Sequence, residues 1–187
     1  EDRIIVSVTI LPQAYFVERI GGQHVDVHVI VPAGSNPETY EPTPQQLLDL
    51  SSSTFYIKVG PPHLSIETRF QRFISDTNKN IHVVDMSQGI KNLKEDPHIW
   101  LSPSIVSSAA VNICQALTSA DPSHADLYRK NLKRFLADID RLDHRIKQQL
   151  RDRKGQSFMV YHPAWGYFAG EYGLTQLAIQ EEGKPLN

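Results

Sequence analysis

The stretch PSHADLYRKNLKRFLADIDRLDHRIKQQLRDR, residues 122–153, decides how the rest of the chain is read. Its apolar residues are Ala125, Tyr128, Leu132, Phe135, Leu136, Ile139, Leu142, Ile146 and Leu150. They recur mostly in steps of three or four, which places them on one face of a helix. Arg129, Lys130, Lys133, Arg134, Asp138, Asp140, Arg141 and Lys147 crowd the other side, as expected of a solvated outer face. Asp121-Pro122 opens the helix and Gly155 closes it. At 1.5 Å per residue this helix is roughly 48 Å long. That is out of scale for an ordinary domain helix, and no heptad repeat makes it a coiled coil. A helix of this length suits a spine between two lobes.

On either side of the spine, strand-like and helix-like segments alternate. Ile4–Val8, Val25–Val31, Thr54–Val59 and Ile81–Met86 read as strands. Gln13–Ile20, Pro44–Leu50, Ile66–Ile74 and a segment from Ser102-Pro103 to Ser119 read as helices, with Thr43 and Ser102 in N-cap positions ahead of prolines. After the spine come Ser157–Tyr161 and Leu174–Ile179 as strands, with a helix near Trp165–Tyr172 between them. This alternation predicts an α/β fold with a largely parallel sheet covered by helices on both faces. The expected organisation is a first α/β lobe over residues 1–120, a linking helix over 121–154, and the start of a second α/β lobe over 155–187.

Composition narrows the function classes. The chain has 187 residues, 19 basic and 21 acidic, for a net charge of −2. That balance gives no electrostatic case for nucleic acid or an anionic membrane. One cysteine, Cys114, excludes an internal disulfide and any cysteine-rich metal site. Cys114 falls within an apolar helix and reads as a small buried hydrophobe. No apolar run reaches the length of a membrane span. No charged n-region and apolar h-region opens the chain, so a signal peptide is expected to be absent or removed. Eight histidines are the one unusual count, and three loops that each follow a strand carry the chemistry of interest. Ligands of open α/β sheets bind at such strand ends.

The first loop, residues 32–44, holds the carboxylates Glu38 and Glu41 between prolines. The second is Asp96-Pro97-His98-Ile99-Trp100-Leu101-Ser102-Pro103. The third is Tyr161-His162-Pro163-Ala164-Trp165-Gly166-Tyr167-Phe168. The remaining histidines, His24, His28, His82, His124 and His144, lie in strands or on the spine and read as surface or structural.

Taken together and in order, Asn-Pro-Glu-Thr-Tyr-Glu-Pro-Thr-Pro, Asp-Pro-His-Ile-Trp-Leu-Ser-Pro and Tyr-His-Pro-Ala-Trp-Gly-Tyr-Phe-Ala resemble the metal-binding receptors of zinc and manganese ABC importers. The opening Val6-Ser7-Val8-Thr9-Ile10-Leu11-Pro12 is similar to that family too, and the likeness spans essentially the whole chain. It implies two α/β lobes with parallel sheets, joined by one long rigid helix, and a divalent metal in the cleft between them. His98 and His162 match the second and third ligand positions of the family. The first position is usually a histidine, and Glu38 stands there in this chain. Glu38 is the expected replacement, with His63 of Gly60-Pro61-Pro62-His63 as the alternative. The family's fourth ligand is a carboxylate further into the second lobe, and the chain stops at Asn187 before such a motif. The resemblance therefore implies an incomplete second lobe, at most three ligands, and a homodimer as one way of covering the open face.

Imidazole nitrogens with a carboxylate suit Zn²⁺, while Mn²⁺ and Fe²⁺ are alternatives, and a histidine at position 162 favours zinc. The family's function implies an extracytoplasmic protein with its signal peptide removed, which binds a metal ion, hands it to a membrane ABC permease and catalyses nothing. Two other readings remain. One is a metal-dependent hydrolase built on His98, His162 and Glu38, with Glu41 as base. It lacks any paired-ligand motif and leaves the spine without a role. The other is a metal-binding surface adhesin.

Overall fold

The computed structural model describes residues 3–60, 64–78, 80–91 and 96–180. Four parallel strands, β1 (Ile4–Ile10), β2 (Val25–Val31), β3 (Phe55–Lys58) and β4 (His82–Asp85), form one sheet in the order β2-β1-β3-β4. Helices α1 (Leu11–Gly21), α2 (Pro44–Ser52) and α3 (Ser65–Thr77) fill the crossovers, and α4 (Pro103–Ala120) follows the sheet.

β1 explains the layering. Val6 and Val8 are fully buried, and so are Ser7 and Thr9, which alternate with them on the opposite face. A buried hydroxyl is tolerated only with a partner. Ser7 Oγ lies 2.7 Å from Ser53 Oγ, just past α2. Thr9 Oγ1 donates to Glu67 of α3 at 2.6 Å and lies 2.8 Å from Tyr56 Oη. The Ser7 and Thr9 face is therefore the α2 and α3 side. Val6 and Val8 face α1, α4 and the spine, which pack on one another.

Glu67 is wholly buried and accepts from Thr9 Oγ1, from the Val59 amide at 2.7 Å and from the Gly60 amide at 3.2 Å. Burial outweighs these three donors and pushes its carboxyl up to about 7.

The spine α5 runs from Ala125 to Leu150, about 39 Å at the usual rise, with single 3₁₀ turns at 122–124 and 151–153. The expected helix over 122–153 is helical throughout but tighter at both ends. At its start Asp121 accepts from Ser123 Oγ, His124 Nδ1 and Tyr128 Oη, beside a first turn that is wound more tightly than an α-helix, at about three residues per turn. Phe135 packs on Tyr15 and Phe16 with ring centroids 5.9 Å apart, and Arg19 pairs with Asp138. α1 is thereby fastened to the middle of the spine.

After the spine, β5 (Ser157–Val160) and β6 (Thr175–Ala178) pair in parallel around α6 (Gly166–Tyr172). Gly173 ends α6 at φ 70°, a left-handed C-cap that glycine adopts without strain. This is the two-sheet α/β architecture with a long connecting helix that the alternation implied. One boundary differs: α1 begins at Leu11, two residues before the Gln13–Ile20 helix expected from the sequence, with Pro12 inside its first turn. Proline is tolerated in a first turn, where its missing N–H has no partner to lose, and the Gln13 side chain accepts from the Ile10 amide at 3.0 Å.

Candidate metal centre

His98 is built into the first lobe by its own sequence. Asp96 Oδ1 accepts from the His98 backbone amide at 2.9 Å and lies 2.7 Å from His98 Nδ1. The intervening Pro97 pre-sets the bend. The next residue, Ile99, is fully buried and starts a 3₁₀ turn over Ile99–Leu101, and Trp100 lies 5.1 Å from the imidazole, ring to ring. His98 is thus 8% exposed, with Nδ1 committed to a carboxylate.

His162 comes from the other sheet. The β5–β6 ladder continues past the strands, with the Ile179 amide donating to Val160 O at 3.0 Å and the Gln180 amide to Tyr161 O at 2.9 Å. This brings Gln180 Oε1 to 3.3 Å from His162 Nδ1. The Ala164 amide donates to His162 O at 2.8 Å and folds the chain back toward α6.

The two rings meet edge to face with centroids 4.9 Å apart, and their Nε2 atoms are 3.0 Å apart. The Asp96 carboxylate can only accept, so His98 donates to it through Nδ1. The 3.0 Å Nε2–Nε2 approach is a hydrogen bond whose donor is set by the tautomer of the two rings. Both nitrogens are also ordinary metal donors, and a cation that displaces the shared proton would take one lone pair from each. Imidazole nitrogens about 2.0–2.1 Å from a tetrahedral zinc ion sit about 3.3 Å from each other, so the pair needs to open by only a few tenths of an ångström.

Glu38, the other expected ligand among the described residues, is not assembled with this pair. Glu38 is exposed, and its loop is tied down by backbone contacts, with the Glu38 amide on Asn36 Oδ1 at 2.9 Å and Ser65 Oγ on Glu38 O at 3.1 Å. His63 lies outside the described residues. Among the described residues no group of three or more His, Cys, Asp or Glu side chains is arranged to hold a metal. Glu41 pairs with Arg69, so the base of the hydrolase reading is engaged elsewhere. A groove of about 1010 Å³ lies elsewhere, between α1 and the spine, and is walled by Tyr15, Phe16, Trp100, Phe135 and Leu142. Sequence reasoning did not name Asp96 or Gln180 as imidazole partners. Asp96 carried a local signal, an Asp two residues before the histidine. Gln180 carried none, because only strand pairing brings it near.

The sequence profile of ZnuA, described as zinc-uptake complex component A, periplasmic, matches residues 6–186. The chain belongs to this family. A putative metal-binding protein of Chlamydia muridarum is 30% identical over 94% of this chain and 64% of its own length. The manganese ABC transporter substrate-binding lipoprotein PsaA of Streptococcus mitis is 28% identical over 92% of this chain and 62% of its own. A crystal structure of ZnuA superposes with a TM-score of 0.91 at 41% identity, covering 98% of this chain and 72% of that one. The chain thus spans a little under two thirds of the length of these two curated relatives. The ZnuA likeness carries the fold across both sheets and the spine.

Proposed function

We propose that this chain is the metal-capturing portion of an extracytoplasmic receptor that passes a divalent transition metal to a membrane ABC permease. The observation that carries the reading is the pair of Nε2 atoms 3.0 Å apart, with the Asp96 carboxylate at His98 Nδ1 and the Gln180 side chain at His162 Nδ1. The donors come from the two sheets, so a bound ion would tie the lobes together. Family membership and the naming of relatives as substrate-binding components support delivery rather than catalysis. Zinc is the proposed cargo, because two imidazoles form a nitrogen-rich site, whereas Mn²⁺ favours oxygen donors. The relatives include a manganese receptor, so the choice is made by experiment. The third ligand is assigned to Glu38, with His63 as the alternative. Among the described residues no helix is long and apolar enough to cross a membrane.

Titration of metal-free protein with Zn²⁺ and with Mn²⁺ tests the reading. Stoichiometric binding, tighter for Zn²⁺, weakened in His98→Ala and in His162→Ala and without ester or peptide turnover, is the expected result. Zinc-dependent turnover, or binding indifferent to both histidines, overturns it. Glu38→His should tighten zinc binding if Glu38 is the third ligand. A loss in His63→Ala with no gain in Glu38→His moves the assignment to His63.

A further inference from the structure

Three close approaches hold the segment after His162: one to Ser102 after His98, one to the spine and one to Asp96 before His98, and none of them is made by either imidazole. Glu171 of α6 accepts from Ser102 Oγ at 2.5 Å across 69 residues of sequence. Ser102 is 2% exposed and is also the N-cap of α4, accepting from the Ile105 amide at 3.3 Å. The next residue, Tyr172, donates to Asp143 of the spine at 2.9 Å. At the other end of α6, Gly166 lies so close to Asp96 that an added Cβ would stand 2.6 Å from Oδ2. Asp96 is the carboxylate that orients His98. α6 is therefore seated at both ends against the elements that fix His98, and it begins four residues after His162.

We propose that Glu171 is a positioning residue for metal capture, acting through Ser102 to hold His162 at ligating distance from His98 before the metal arrives. The proposal rests on the reading of His98 and His162 as ligands. It assigns to α6 the task of presetting the pair, so that the ion does not bear the entropy of bringing two lobes together. The distance over which Glu171 acts is short. Ser102 lies four residues from His98 and begins α4, whereas Glu171 lies nine residues from His162 on the seven-residue α6. Loss of the contact frees α6 to pivot about Tyr172. Gly166 marks the same seam, since any side chain there would push α6 away from Asp96.

The test is Zn²⁺ affinity of the full chain, measured by competition with a chromophoric chelator in Glu171→Ala, Glu171→Gln, Ser102→Ala, Ser102→Thr and the double alanine variant. Partners of metal-binding histidines typically change affinity by about 10–100-fold, and a residue one step further out is expected to change it by about 3–10-fold. Glu171→Ala and Ser102→Ala should each weaken binding by that amount, and the double variant should be no weaker than either alone. Glu171→Gln and Ser102→Thr keep an acceptor and a donor and should restore most of the affinity. The Co²⁺ absorption spectrum should keep its shape in every variant, because no ligand has changed. Ser102→Ala also removes a helix cap, so thermal unfolding of the metal-free proteins separates that effect from positioning. Unchanged affinity in Glu171→Ala, alongside loss in His98→Ala, overturns the positioning role and leaves the ligand assignment standing. Additive losses in the double variant also overturn it. If His98→Ala binds as tightly as the parent, both readings fall.

Discussion

β3 and β5 are both four-residue strands in parallel sheets, yet they live in different surroundings. Phe55, Tyr56, Ile57 and Lys58 of β3 are all buried, between β1 and β4 and under helices. In β5 burial alternates, and Met159 is 71% exposed, as are Leu177 (48%) and Ile179 (59%) on the neighbouring strand. Parallel sheets are stable when both faces are covered. The four-stranded sheet meets that condition at β1 and β3, while its edge strand β4 is partly open, with Val83 40% exposed. The two-stranded sheet has α6 and little else, and it is held through α6 to α4 and the spine. Among the described residues the first sheet therefore carries most of the buried core, and the second carries the candidate ligand His162 on rigidity borrowed through α6.

That contrast can be broken in order of expected effect. Phe70→Ala removes a ring that packs edge-on against Tyr56 at 5.8 Å and is 1% exposed. It should cost about 3–5 kcal/mol in denaturant unfolding. The second effect is pH-dependent. Glu67 is raised in the folded protein to about 7 from an ordinary 4.5. The folded state thus holds its proton more tightly than the unfolded state. Stability from this group is greatest below about pH 4.5 and is lost as pH climbs to about 7, by up to about 3 kcal/mol. Asp138 and Asp143 are shifted downward and act in the opposite sense, so the informative quantity is the difference between the parent and Glu67→Gln across that window. The difference should grow in favour of the glutamine variant as pH rises, and a flat difference would show that burial does not raise the Glu67 carboxyl above its ordinary value.

Effects at the second sheet should be smaller and should read out in binding. His98→Ala or His162→Ala should weaken Zn²⁺ by about 100-fold while leaving metal-free unfolding nearly unchanged for the exposed His162. Asp96→Asn keeps an acceptor for Nδ1 but removes its charge, and should weaken binding about tenfold. Met159→Ala should change stability by less than about 0.5 kcal/mol. A large loss there would mean that β5 is packed in solution against something that its exposure does not reveal.

The same division explains what could be read from the sequence. The first sheet was legible because its strands are continuous apolar runs and its helices begin with Thr43-Pro44 and Ser102-Pro103, signals carried by neighbouring residues. The spine was legible from the period of Tyr128, Leu132, Phe135 and Ile139, although the tight turn beside Asp121 was not. At the metal centre, His98 and His162 stood out through their loops. The groups that orient them did so only as far as they were local. Asp96 lies two residues away, whereas Gln180 is 18 residues from His162 and Glu171 is 69 from Ser102. Such partners are products of strand pairing and helix docking, and no periodicity announces them. Glu38 shows the converse. Its place in the first loop was plain, but its carboxylate is exposed and its backbone is occupied by Asn36 and Ser65.

The parallel pairing of β5 with β6 works as a combination lock for the place of Gln180 beside His162. Val160 is set opposite Ala178, and the count runs on to Tyr161 and Gln180. A slip of a single position would carry Gln180 about 3.3 Å along the strand and turn its side chain to the opposite face. The contact that steadies the His162 ring through Nδ1 would then be lost without any residue having been changed.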